Sequence, residues 1–161
     1  MKKLIFILFF VPFNFSAQDV QNRILLIKEM YKETNRLMDK ENVICKKIKA
    51  IEYDDDEIEI ERRIIKYCDF DNGYSKITIE IISPGQQDYE EHYFRFNNLY
   101  FSYLDTKGEG GEITYRHYFN SSGKLIRNLI DDGSGNKNFS EGPYLYELHF
   151  AHDILLNHNT K

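Results

Sequence analysis

Tyr67-Cys68-Asp69-Phe70-Asp71-Asn72-Gly73-Tyr74, Tyr93-Phe94-Arg95-Phe96-Asn97-Asn98-Leu99-Tyr100 and Tyr118-Phe119-Asn120-Ser121-Ser122-Gly123-Lys124-Leu125 are three look-alike segments. Each reads as a strand end, a turn and a strand start. Their leading tyrosines stand 26 and then 25 residues apart, and His-Tyr-Phe recurs at His92 and at His117. Asn72-Gly73 is a strong two-residue turn signal and pairs Cys68 with Ile77. An Asn97-Asn98 turn, tolerant of positive φ, pairs Phe96 with Leu99, Phe94 with Phe101 and His92 with Tyr103. Ser121-Ser122-Gly123 fits a three-residue loop with Gly123 left-handed.

Those registers divide the strands into two faces. Phe94, Phe96, Leu99, Phe101, Ile113, Tyr115, Phe119, Leu125 and Leu129 fall on one, with Cys68, Ile77, Ile79 and Ile81. The other carries Tyr67, Tyr74, Tyr93, Arg95, Tyr100, Arg116 and Tyr118. A sheet with one buried and one wet face follows, because a slip of one residue would expose the whole apolar set.

Working outward, residues 19–40 read as a helix. Val20, Ile24, Ile27, Tyr31, Thr34 and Met38 recur at three and four, widened by Leu26, Met30 and Leu37, with Asp19 as N-cap. Strands are expected from Val43 to Tyr53, Glu57 to Asp69, Lys76 to Ile82, Tyr89 to Phe96, Leu99 to Leu104, Glu112 to Phe119 and Lys124 to Ile130. Tyr144 to His158, preceded by Pro143, reads as a closing helix. The expected fold class is α+β. It is an antiparallel β-meander of about seven short strands, with the N-terminal helix packed on its apolar face and a short C-terminal helix. A small barrel of the same strand order is the alternative.

Met1-Lys2-Lys3, the apolar run Leu4 to Phe13 and the exit Ser16-Ala17 read as a signal peptide over residues 1–17, leaving 18–161 as one domain. The run is shorter than a membrane span needs, and no span follows it. Removing 1–17 takes two lysines and no acid, leaving 19 basic against 26 acidic side chains and a charge of −7. That balance, without a basic stripe, argues against nucleic acid as a partner. The expected location is periplasmic or secreted. Cys45 and Cys68 are the only cysteines; they suit one disulfide in an oxidising compartment or two buried free thiols.

Nucleophile elbows, phosphate loops and dinucleotide fingerprints are absent, and no cofactor is implied. His92 and His117 occupy equivalent repeat positions but are separated by the strand 99–104, which favours satisfied core-edge histidines over a dyad. His149, His152 and Asp153 stand at i, i+3 and i+4 without the metalloprotease pattern, and packing explains them as well as metal binding does. Asp54-Asp55-Asp56-Glu57 reads as a solvated hairpin tip rather than a Ca²⁺ site.

Tyrosine and arginine are enriched at binding hot spots, although a sheet surface favours aromatic residues in any case. The candidate binding face is therefore Tyr67, Tyr93, Arg95, Tyr100, Arg116 and Tyr118. It implies an exported binding or interaction module whose partner is a protein, peptide or glycan. The competing function is a small hydrolase or metal-dependent enzyme using His149, His152 and Asp153. The segment Glu112 to Phe119, followed by Gly123-Lys124-Leu125-Ile126 and combined with the signal peptide and single helix, resembles small secreted or periplasmic β-rich proteins of unknown function from Gram-negative bacteria. That resemblance implies a β-rich fold and an export route, and assigns no catalytic residue.

Overall fold

The computed structural model describes residues 17–40, 43 and 45–134. Helix α1 (Ala17–Met38) precedes seven strands: β1 (Cys45–Tyr53), β2 (Glu59–Asp69), β3 (Tyr74–Ser83), β4 (Gln86–Arg95), β5 (Asn98–Gly108), β6 (Gly111–Phe119) and β7 (Leu125–Asp131). They form one antiparallel sheet in sequence order, and β1 and β7 do not pair, so the described sheet is open. The fold is α+β, as the alternation and the helical stripe require. The predicted C-terminal helix lies outside the described residues.

Helix α1 begins at Ala17, two residues before the expected cap. Asp19 therefore sits in the first turn, where its charge faces the positive end of the helix dipole. Ile24, Ile27, Met30, Thr34 and Leu37 are the buried stripe, while Leu25 and Leu26 face outward.

The surface that receives this stripe is not the predicted one. Ile24, Ile27 and Met30 pack with Tyr93, Tyr100, Phe101 and Tyr118, and Tyr31, Tyr74, Tyr103, Ile126 and Leu129 border the cluster. Tyr93 is 0% exposed and Tyr100 1%. The tyrosine face read as wet is the face that α1 covers. Tyr67, also buried, belongs to a second cluster on the opposite side with Ile65, Ile77, Ile79 and Phe94. Of the six candidate residues, only Arg95 is exposed and Arg116 half-exposed.

The register explains the inversion. In the second hairpin Arg95 pairs with Asn98, so Phe96 and Asn97 are the turn residues, both at positive φ. Phe94 then pairs with Leu99 and Tyr93 with Phe101, which leaves Tyr100 as the extra residue of a bulge. A bulge presents two successive side chains on one side, and Tyr100 and Phe101 both join the helix-side cluster. Phe96 is held in its left-handed conformation by donating its N–H to the Gly73 carbonyl at 2.7 Å. Its ring occupies the space a Cβ on Gly73 would need. In the first hairpin Cys68 pairs with Lys76 and Tyr67 with Ile77, one residue away from the expected register. The third loop is as expected: Gly123 is left-handed, and Asn120 donates its N–H to the Lys124 carbonyl. A bulge at Ile126 then puts Leu129 on the helix side, opposite to its predicted face.

Cys45 and Cys68 are direct cross-strand partners and are joined by a disulfide. It closes a 23-residue separation containing the whole β1–β2 hairpin. Constraining a loop of that size in the unfolded chain is worth about 3 kcal/mol. The Cys45→Ser/Cys68→Ser double variant is expected to lose about that much in a urea melt. An unchanged midpoint would show that β1 adds nothing to the cooperative unit.

Candidate ligand cleft between helix and sheet

The helix is fixed to the sheet by polar contacts as well as by its apolar stripe. Near its start, Arg23 Nε donates to the Phe119 carbonyl at 3.4 Å. One turn before its end, the Thr34 hydroxyl donates to the Met30 carbonyl. The Tyr100 hydroxyl, 2.8 Å from Thr34 Oγ1, is then the donor of that pair. Asn35 Oδ1 accepts from Lys76 Nζ at 3.3 Å and lies 3.2 Å from the Tyr93 hydroxyl oxygen.

Beneath Asn35 lies a buried ion pair. Lys76 Nζ meets Glu91 Oε1 at 2.6 Å and stands 4.7 Å from the centre of the Tyr93 ring. Tyr89 donates to Glu91 Oε1 at 2.8 Å and Tyr93 to Glu91 Oε2 at 2.7 Å. Burial by itself would raise the Glu91 carboxyl. Lys76, Tyr93 and Tyr89 outweigh it and hold the group below its ordinary value. The two phenols shift upward, first through burial and then through donating to a carboxylate. Glu91 is therefore a saturated anion with both oxygens engaged.

Between this pair and the β6 side the interface opens. A cavity of about 400 Å³ is lined by Ile27, Lys28 and Tyr31 of α1 and by Glu91, Phe101, Tyr103, Arg116 and Tyr118 of the sheet. Its walls are aromatic: Tyr31 lies 5.3 Å from Phe101, and Phe101 lies 5.1 Å from Tyr118, centre to centre. The Arg116 guanidinium sits over the Tyr103 ring at 5.9 Å. Arg116 and Tyr118, both candidates from the sequence, line this cavity. Tyr93 and Tyr100 support it from the core, Tyr67 is on the far face, and Arg95 stacks over Tyr74 at 5.1 Å outside it. Lys28, Tyr31 and Phe101 were not candidates, because their part depends on which face α1 covers.

The opposite face holds a second constellation that the sequence did not suggest. Glu90 Oε2 lies 2.8 Å from His92 Nε2, and His92 Nδ1 lies 3.0 Å from Ser102 Oγ. The order acid, imidazole, hydroxyl is that of a nucleophile triad. The signal was present as the i, i+2 spacing of Glu90 and His92 on one strand face. Ser102 is nevertheless 0% exposed, in mid-strand between His92 and His117 as register partners. A nucleophile must reach its substrate, and this hydroxyl is interior, so we read the array as a satisfied core chain. His92 and His117 flank Ser102 on neighbouring strands, the separation expected of the two repeats.

Burial, with a smaller contribution from His92, depresses the His117 imidazole to about 4. A histidine whose folded value lies below its unfolded one stabilises the fold fully above pH 6.5. That stability is lost as pH falls toward 4. The urea midpoint is expected to drop between pH 6.5 and 5, above the carboxylate range, and His117→Phe is expected to remove that slope. An equal slope in the variant would place the titration elsewhere.

Among the described residues no three His, Cys, Asp or Glu side chains are grouped to hold a metal ion. His149, His152 and Asp153 lie outside the described residues. The acid run is a hairpin tip, where Asp54 Oδ1 accepts from the N–H groups of Asp56 and Ile58. No protein-family model matches the sequence, and neither a curated protein nor a solved structure matches it significantly.

Proposed function

We propose that the chain is an exported binding module that takes a small ligand into the α1–sheet cleft, with Arg116 and Tyr118 in its wall. The observation that carries this reading is the cleft's make-up: a few charged groups set among aromatic walls, at a size within the range of small-molecule sites. The wall is built on a strand sheet and a helix pinned at both ends, which gives it the rigidity a binding site needs. A protein or peptide docking on the whole tyrosine face is not compatible with its burial under α1. Export is supported by the disulfide, which persists in oxidising compartments, and by the N-terminal sequence. No helix among the described residues is long and apolar enough to cross a membrane.

A mixed fragment library of acids, amides and amines, screened by amide chemical-shift mapping, tests the binding claim. Binders should move the amides of 27–31, 101–103 and 116–118 together. A screen in which no fragment maps to those three segments would remove the cleft as a ligand site. Mass spectrometry of the exported product tests the other half: an intact Met1 contradicts it.

A further inference from the structure

The charges around the cleft point to the ligand's chemistry. Glu91 is the carboxylate in the lining, and it is already engaged by Lys76 and two phenols. At the Tyr103 end, Asp105 and Glu112 share Lys107, at 3.2 and 3.6 Å. Lys76 offsets Glu91 and Lys107 offsets one of Asp105 and Glu112, which leaves one acidic charge at that end, fewer than the two cations of the lining. Arg116 and Lys28 remain, and neither forms a salt bridge among the described residues. Arg116 is half-buried, its guanidinium lies over the Tyr103 ring, and it lines the cavity. Lys28 stands exposed at the rim on the helix side.

We propose that the cleft binds a small carboxylate with a flat apolar body. The carboxylate would be taken by Arg116, with Lys28 assisting from the rim, and the body held between Tyr31, Phe101, Tyr103 and Tyr118. A guanidinium presents parallel N–H donors that match a planar carboxylate, which an ammonium does not. Partly desolvated beside a ring, that pairing is stronger than the same pair in water. Aromatic walls favour a planar body by offset or edge contacts. A neutral ligand would leave Arg116 to desolvate without a partner, which disfavours it. This inference rests on the cleft being the ligand site, and the experiment separates the two.

The test titrates the full chain with 1-naphthoate, 1-naphthamide, 1-naphthylmethylamine and 1-naphthyl phosphate by calorimetry and shift mapping. Naphthoate is expected to bind at 27–31, 101–103 and 116–118, at least about tenfold tighter than the amide, the scale of a charge-assisted hydrogen bond. Arg116→Gln should lose about tenfold for the acid and little for the amide. Arg116→Lys should fall between the two, and Lys28→Gln should lose about threefold or less, as an exposed pair does. Arg95→Gln, outside the cleft, should change nothing. Spectra of each variant show whether its fold is retained. Equal binding of acid, amide and amine at the cleft, unmoved by Arg116→Gln, would overturn the anion and keep the binding site. Tighter binding of the phosphate than of naphthoate would overturn the carboxylate. No binding by any of the four would overturn this proposal, and only an empty fragment screen removes the cleft itself.

Discussion

Tyr93→Ala is expected to destabilise the protein by roughly 3–5 kcal/mol, the cost of deleting a fully buried aromatic ring and leaving a cavity. The ring is 0% exposed, lies 5.0 Å from Tyr31 and 5.7 Å from Phe101, and its hydroxyl donates to Glu91. Phe94, its neighbour in sequence, is also 0% exposed but on the other face, with Ile77 and Ile79. Phe94→Ala should therefore cost a similar amount. A sheet with one wet face would make one of these substitutions severe and the other nearly silent. Tyr93→Phe separates the two parts of the effect: it keeps the ring and removes only a hydrogen bond, so about 1–3 kcal/mol is expected. Urea melts of the three variants decide the matter, and a nearly unchanged Tyr93→Ala midpoint would contradict the docking of α1 on this face.

Lys76→Met should cost about 3–5 kcal/mol, as removing one partner of a buried ion pair generally does. Lys76 Nζ lies 2.6 Å from a carboxylate that is itself mostly out of water, so the substitution strands the Glu91 charge among phenols. Adding Glu91→Gln should recover part of the loss, because a neutral amide needs no counter-charge; its oxygen can accept from one phenol and its NH2 can donate to the oxygen of the other. Recovery is the informative result. If the double variant is weaker than Lys76→Met by the full cost of a second, independent lesion, the two residues are not coupled. The pair also sets a pH dependence. The Glu91 carboxyl is held low, so its stabilisation is present above the usual carboxylate value and is lost as pH falls through the lowered one. In Lys76→Met that loss should begin at higher pH.

The helix, the strand count and the third hairpin could be read from the sequence because each has a local cause. The helical stripe has its own period, and Ser121-Ser122-Gly123 supplies the one left-handed residue its loop requires. Cys45 and Cys68 could not be paired from sequence, since bonding needed the β1–β2 register. The faces were misread for a reason that lies in tyrosine itself. Its ring packs like an apolar side chain and its hydroxyl asks for a partner, so a tyrosine row does not declare whether it is wet. Here Thr34 and Glu91 supply partners for Tyr100 and Tyr93, and the row is core. Two bulges, at Tyr100 and at Ile126, then defeat simple alternation, because one extra residue reverses every face assignment beyond it. Of the site, Arg116 and Tyr118 stood out by residue type. Lys28, Tyr31 and Phe101 join them only through the docking of the helix, which no local pattern encodes.

Helix α1 lies on the tyrosine face and so forms one wall of the cleft. Proton–proton Overhauser contacts from the Tyr31 ring test that placement most directly. Ring contacts to both Tyr93 and Phe101 are predicted, from centre separations of 5.0 and 5.3 Å. Contacts from Tyr31 to Phe94 and Ile77 instead would put the helix on the opposite face and contradict the account.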